Sequence, residues 1–389
     1  MLEKDRLAIA YSLLKYKEEL RDLYEELEPY KKSDCCNFIS HMHLGDSFYR
    51  AAMNNDLQEK YGNIHYIINP SAEPIMPLFN ITNYSVFDFN KYLDEKIKKY
   101  FDDKIIYAYT KHLLVQKMFS ATPRKGEFFV IDFESPYFCK YSEILNKDGY
   151  NLSVMEYNYA CAGILKSKKI DVNQINYPII ADSCKHKVEQ YGLLKNSVLL
   201  LPEASSDNLL DKRIWNNIAL ELNNLGYLVF ENIVDYNNHI ERAINLDLNV
   251  SELIQVGMNC HSVISFRSGL CDILAGKGAN LYVLSSEQRN MDFKRTFSFN
   301  DNFIFNELSY PIEIFLSNSN KPKLIFEKQD LLKNTNKKWF PKNILKHNLF
   351  KDFLQFIFSI KNQNPHKVIN LCGIKLKFKR GNDNLWCNL

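Results

Sequence analysis

The chain has 389 residues, of which 46% are hydrophobic, 13% aromatic and 24% charged. That composition excludes a disordered chain, and the length exceeds what one hydrophobic core usually supports. The net charge of +3 conceals an asymmetry: residues 321–389 hold 15 Lys and Arg against 4 Asp and Glu, a net of +11, which leaves −8 on residues 1–320.

The nine cysteines are scattered, and none has the CxxC or Cys/His spacing of a zinc site, so a reducing compartment is expected. The N-terminus is too charged for a signal peptide, and no run approaches the roughly 20 apolar residues that span a bilayer. These features predict a cytoplasmic protein.

Residues 2–31 read as one helix, because Leu2, Ile9, Leu13, Tyr16, Leu20, Leu23 and Leu27 recur at three- and four-residue steps. Its charged opposite face suits packing on the body or on a partner, including a second copy of the chain. Short strands then alternate with helices. Strands are expected at CNFISHMHL, IHYIIN, SVFDF, KIIYAY and EFFVIDF, and helices at SFYRAAMNNDLQEKYG, NKYLDEKIKKYF and YFCKYSEILNKDG.

After a polar link near IDVNQINYP the alternation restarts. SVLLLPEA is a strand, DKRIWNNIALELNNLG a helix ended by Gly226, YLVFENI a strand, NVSELIQVGMN a helix and SVISF a strand. RSGLCDILAGKG follows as a helix and ANLYVLSS as a further strand. Such alternation predicts parallel sheets covered by helices, arranged as two doubly wound α/β domains facing across a cleft. The boundaries expected are 1–35 for the N-terminal helix, 36–178 and 179–320 for the two domains, and 321–389 for a basic helical extension.

Ligands of open α/β sheets bind outside the carboxyl ends of the strands, so the turns there carry the chemistry. In SHMHLGDSFYRAA, Gly45 permits close backbone approach. Asp46 either caps the following helix or removes a proton from a bound hydroxyl. His41 and His43 occupy alternate strand-end positions, one of them facing the same cleft, with His43 the secondary catalytic candidate.

In LLLPEASSDNLLDKRIW, Pro202 ends a buried strand, and the small residues Ala204, Ser205 and Ser206 admit a phosphate near backbone N–H groups. Lys212 at the next helix start supplies a point charge. In SFRSGLCD, Ser268, Gly269 and Leu270 open a helix, and Arg267 has the reach to hold a phosphate bidentately. Two such turns point to a diphosphate. Glu231, closing LVFE, is a candidate ribose contact.

The stretch CNFISHMHLGDSFYRAAMNNDLQEKYG resembles the opening strand, Gly-Asp turn and helix of the bacterial heptosyltransferase-like glycosyltransferases. LLLPEASS, DKRIW and LGYLVF are similar to that family's second-domain entry, and SFRSGLCD to its later Ser/Thr-Gly turn. The resemblance implies a GT-B fold of two Rossmann-like domains and metal-independent, inverting sugar transfer from a nucleotide-sugar, with no cofactor. Asp46 would be the base, Ser205 and Lys212 would hold donor phosphate, and Ser268, Gly269 and Leu270 would lie under the diphosphate. The chain departs from the family at Asp272, where a histidine is usual, at Arg267, and at the extra Ile214. Heptose is therefore not carried over as the donor.

The implied acceptor is a bacterial surface glycan: lipopolysaccharide, lipooligosaccharide or capsule. The basic, aromatic tail suits the inner face of the cytoplasmic membrane. Nucleic acid is not expected, since no binding module accompanies the charge. A polysaccharide pyruvyltransferase-like enzyme and a non-catalytic GT-B-like scaffold are the alternatives.

Overall fold

The computed structural model describes residues 18–101, 107, 111, 114–116, 118–131, 154–164, 170–203, 210–233, 236–276, 279–286, 312–316, 358–363, 366–371 and 374–379. In the first of these stretches, α1 (Leu23–Leu27) lies between 3-10 turns at Glu18–Leu20 and Glu28–Tyr30. The single helix expected over 2–31 is thus broken where it is described. Asp22, just before α1, is drawn into a tertiary contact by the Tyr92 hydroxyl and the Lys96 ammonium. Leu20, Leu23 and Leu27 are fully buried with Phe89, Leu93 and Ile97, so the leucine stripe packs on the body.

The first sheet is built from β1 (Cys36–Ser40), β2 (Ile64–Ile68), β3 (Tyr84–Val86) and β4 (Phe128–Phe129), all parallel, in the order β3-β2-β1-β4. β1 and β2 are buried along their whole length, as parallel strands covered on both faces must be. α2 (Leu44–Ala52) and α3 (Asn54–Tyr61) connect β1 to β2. α4 (Phe89–Ile97) follows β3, with the Asp88 carboxylate accepting from the Lys91 N–H at 2.9 Å as its cap.

KIIYAY was expected to be a strand, yet Tyr107, its described residue, is helical. Its aromatic and β-branched content favours a strand locally, but Tyr107 packs in the core with Leu93 and Ile97 and donates its hydroxyl to Asp94 on α4. The helix expected at 137–149 lies outside the described residues. α5 (Val154–Cys161) was not anticipated.

The second sheet follows α6 (Asp182–Glu189). In chain order it comprises β5 (Ser197–Leu201), α7 (Lys212–Asn224), β6 (Leu228–Glu231), β7 (Ile244–Asn245), α8 (Val250–Asn259), β8 (Ser262–Phe266), α9 (Gly269–Ala275), β9 (Leu281–Ser286) and β10 (Ile312–Leu316). The strands are all parallel in the order β10-β9-β8-β5-β6-β7. Winding reverses between β5 and β8, the switch point at which such sheets bind ligands.

Capping fixes the helices of this sheet. Asn249 and Glu252 form a reciprocal capping box on α8, and Lys187 of α6 pairs with Glu252 at 2.6 Å. α7 ends as its sequence predicts. Gly226, at φ +85°, turns the chain while Tyr227 N–H donates to Leu222 and Gly226 N–H to Asn223, the bond pair of a Schellman stop. One continuous core takes side chains from both sheets, including Phe38 and Ile68 from the first and Leu199 and Val263 from the second. All six cysteines among the described residues that are assigned a state are free thiols.

The chain divides into two compact units, Met1–Lys337, which holds both parallel sheets, and Lys338–Leu389. The second unit contains an antiparallel meander of β11 (Phe358–Gln363), β12 (His366–Leu371) and β13 (Ile374–Lys379). This corrects the expected helical tail over these residues. IKLKFK alternates apolar and basic residues with period two, the period of a strand. No helix among the described residues is long and apolar enough to cross a membrane.

Candidate functional site

The turn after β1 and the turn after β8 meet. Each leads into a helix, α2 and α9, and the first turns of these helices touch backbone to backbone at Gly45 and Gly269. A Cβ on Gly269 would lie 2.4 Å from the Gly45 nitrogen, and one on Gly45 would lie 3.0 Å from the Gly269 Cα. Only a hydrogen fits at Gly269, and a Cβ at Gly45 would be tight.

Two helix N-termini approaching in this way bring partial positive charges together. Asp46 and Asp272, one in the first turn of each helix, offset that charge. Gly269→Ala is expected to force the helices apart, because its neighbours are backbone atoms that cannot rotate away, at a cost of about 3 kcal/mol. Gly62→Ala isolates strain from clash: at φ 81° and ψ −148° its backbone suits glycine almost alone, but nothing lies within 4 Å of its Cβ, so its loss of about 1–3 kcal/mol comes without any movement of the α2–α9 contact. Thermal melting of both variants checks these losses.

Beneath the glycine contact lies a buried polar cluster. The Arg267 guanidinium grips Asp272 with two bonds, of 3.0 and 2.9 Å, and also donates to the Ser268 carbonyl at 2.5 Å. Tyr49 on α2 donates its hydroxyl to the same Asp272 carboxylate at 2.7 Å, although 223 positions separate the two residues. Burial, reinforced by the neighbouring Asp272 charge, raises the Tyr49 pKa well above its ordinary value and keeps the hydroxyl a donor. Burial opposes the charge on Arg267, and Asp272 more than restores it. The guanidinium is thus committed to holding the two sheets together through α9 and α2.

Asp46 differs from its neighbours. It stands in the first turn of α2, half-buried, and among the described residues no hydrogen bond or ion pair holds its carboxylate. It does not cap α2. The cap position belongs to His43, whose side chain makes no capping bond. His43 is exposed at the helix start. Desolvation of its ring nevertheless pushes the imidazole pKa down, with Asp46 pulling it up and Lys111 pressing it further down.

Behind Asp46, one helical turn on, the Arg50 guanidinium is buried over the Phe38 ring at 5.8 Å. It donates to the Ile131 carbonyl at 3.5 Å, while its Nε and Nη1 find no acceptor among the described residues. Burial lowers the Arg50 pKa and the Asp46 charge opposes that fall. A buried cation and a partly exposed carboxylate on one helix face place an anion at the surface, backed by positive charge.

The remaining sequence candidates are placed as follows. His41 is buried after β1, its carbonyl accepts the Asn69 side-chain amide at 2.7 Å, and its ring meets Phe89 edge-on. Pro202 is buried after β5. Ala204, Ser205 and Ser206 lie outside the described residues. Ser268 occupies the cap position of α9 without a capping bond, and Leu270 is buried.

Lys212, the first residue of α7, reaches the Asn237 carbonyl at 3.5 Å. Glu231 is fully buried, accepting from His239 Nδ1 and, at 2.8 Å, from the Ile240 N–H. The candidates therefore gather in two groups: the glycine contact with Asp46, His43, Arg267 and Ser268, and the ends of β5 and β6 with Lys212 and Glu231. Tyr49, Arg50, Lys111 and the 236–240 turn are the participants that sequence reasoning did not single out.

No protein-family model and no curated protein matches the chain. Among solved structures, it is similar to the glycosyl transferase family 9 protein from Veillonella parvula, at 13% identity and TM-score 0.41, covering 82% of this chain and 97% of that one. It is also similar to the E. coli ADP-heptose lps heptosyltransferase II, at 14% identity and TM-score 0.39, covering 64% and 84% of the two chains. A third neighbour is E. coli heptosyltransferase WaaC with ADP-2-deoxy-2-fluoro heptose, at 10% identity and TM-score 0.38, covering 64% and 87%.

Proposed function

We propose that the chain is an inverting, metal-independent glycosyltransferase that moves a sugar from a nucleotide-sugar to a bacterial surface glycan, whether lipopolysaccharide, lipooligosaccharide or capsule. The observation that carries this reading is the Asp46 carboxylate, without a hydrogen-bond or ion-pair partner among the described residues, at the carboxyl end of β1 where two βα turns meet. A carboxylate so placed takes the proton from an acceptor hydroxyl. The oxygen then attacks the anomeric carbon, and the nucleoside diphosphate leaves with the bonding electron pair, which inverts that carbon.

His43, its imidazole held toward the neutral form, is positioned to accept or pass on the proton. On the donor side, Lys212 and Ser268 offer charge and hydroxyl to the leaving diphosphate, and Ser205, seven positions before Lys212, is a further proposed phosphate contact. Arg267 contributes through Asp272 and the shape of the turn, since its fork is already filled. The two doubly wound sheets act as the acceptor-side and donor-side lobes, and the basic residues after 321 place the enzyme at the inner face of the cytoplasmic membrane.

The test is release of nucleoside diphosphate from a panel of nucleotide-sugars, with glycolipid extract as acceptor. Acceptor-dependent release from one donor is the expected result. No release from any donor, with the extract still bound, would favour a non-catalytic scaffold.

A further inference from the structure

A second feature sits at the carboxyl end of β6, on the sheet that holds the proposed donor. Tyr236 is 72% exposed, yet it is not loose. Its ring lies flat on His239, with centroids 5.2 Å apart and planes within 6°. His239 Nδ1 is hydrogen-bonded to the fully buried Glu231 carboxyl group, which fixes the orientation of the ring.

The rest of the turn is tied down at separate points. The Ile240 N–H donates to Glu231 at 2.8 Å, Asn238 donates to Glu203 beyond β5 at 2.7 Å, and the Glu241 N–H donates to Asn216 on α7 at 2.9 Å. Lys212 closes on the Asn237 carbonyl at 3.5 Å. What sets this ring apart from a merely exposed side chain is its support: a fully buried carboxyl group, costly to bury unless hydrogen-bonded, holds His239 under a rigid aromatic face beside a lysine at a strand's carboxyl end.

We propose that Tyr236, backed by His239, is the stacking platform for the nucleobase of the donor. The inference rests on the nucleotide-sugar reading above and names the part of the donor held at the end of β6. The base lies on the outer face of Tyr236, making a three-layer stack with His239, and the diphosphate runs from there toward Lys212. Glu231 serves as a positioning residue: buried and fully bonded, it orients His239 and does not itself reach the ribose. Stacking tolerates any base, so the platform supplies affinity for the nucleoside, and the choice among bases falls to other groups.

The experiment is calorimetric titration of the full chain with ADP, UDP, GDP and CDP, and with inorganic pyrophosphate by competition, for wild type, Tyr236→Ala and Tyr236→Phe. Tyr236 is exposed, so neither variant should disturb folding, and circular dichroism checks this. Expected is a loss of about tenfold in affinity for the bound nucleoside diphosphate in Tyr236→Ala, rescue in Tyr236→Phe, and unchanged pyrophosphate competition. Unchanged nucleoside diphosphate affinity in Tyr236→Ala, or an equal loss for pyrophosphate, overturns the platform. A wild-type chain that binds none of the four overturns the donor reading beneath it.

Discussion

Asparagine in place of Asp46 should lower sugar transfer by about a thousandfold, the central value for loss of a general base. The variant keeps the shape of the side chain and removes its capacity to take a proton. The substitution breaks no hydrogen bond or ion pair among the described residues, but it removes the charge that offsets the helix N-termini and faces the buried Arg50 cation, so a stability loss of about 1 kcal/mol is expected. Nucleotide affinity should hold, since the proposed donor contacts lie on the second sheet. Turnover, melting temperature and nucleotide titration, measured together, separate the base role from a structural one. Retained turnover in the Asp46→Asn variant removes Asp46 as the base.

Arg267→Ala should act on stability first. Its partner Asp272 keeps only 3% of its side-chain surface exposed, and losing both guanidinium bonds would leave a buried carboxylate with the Tyr49 hydroxyl alone. Breaking one side of such a pair costs about 3–5 kcal/mol. Removing both charges together, as in Arg267→Met with Asp272→Leu, should recover much of that loss, because no uncompensated charge remains. Chemical denaturation of the singles and the double closes the cycle. If Arg267→Ala instead leaves stability intact and weakens nucleotide binding, the guanidinium serves the donor directly and the clamp assignment falls.

Much of the scaffold was legible because its determinants are local. β1, β2, β5 and β8 are short, largely apolar runs bounded by polar turns, and burial along β1, β2 and β5 and at all but one residue of β8 is what such runs require in a covered parallel sheet. Gly226 marked the end of α7 for a similar reason, since only a residue tolerant of positive φ completes that stop.

Local signals misled where the tertiary setting decided. KIIYAY has strand composition, but Tyr107 is helical and tied to Asp94. The closing basic stretch was expected to be helical, while IKLKFK pairs as a strand.

The site was legible in its parts and not in its pairings. Gly45, Asp46, Arg267, Gly269 and Asp272 all stand out as unusual residues at strand-to-helix turns. That Gly45 faces Gly269, or that Tyr49 bonds Asp272, is a relation between residues more than 220 positions apart, and no periodicity encodes it. Arg267 looked like a phosphate ligand because guanidinium geometry suits phosphate and carboxylate equally. Asp272, five residues on, fills that fork, and only the folded chain shows it. Glu231 read as a ribose contact for its place at a strand end, yet its burial turns it inward onto His239 and Ile240.

The central claim is that the second sheet binds a nucleotide donor used together with the Asp46 carboxylate. Thermal melting of the full chain against ADP, UDP, GDP and CDP tests it most directly, because a ligand that binds only the folded state raises the melting temperature by mass action. The account predicts that one of the four raises it in a concentration-dependent way, equally in wild type and Asp46→Asn. A melting temperature unmoved by all four at millimolar concentration would contradict it.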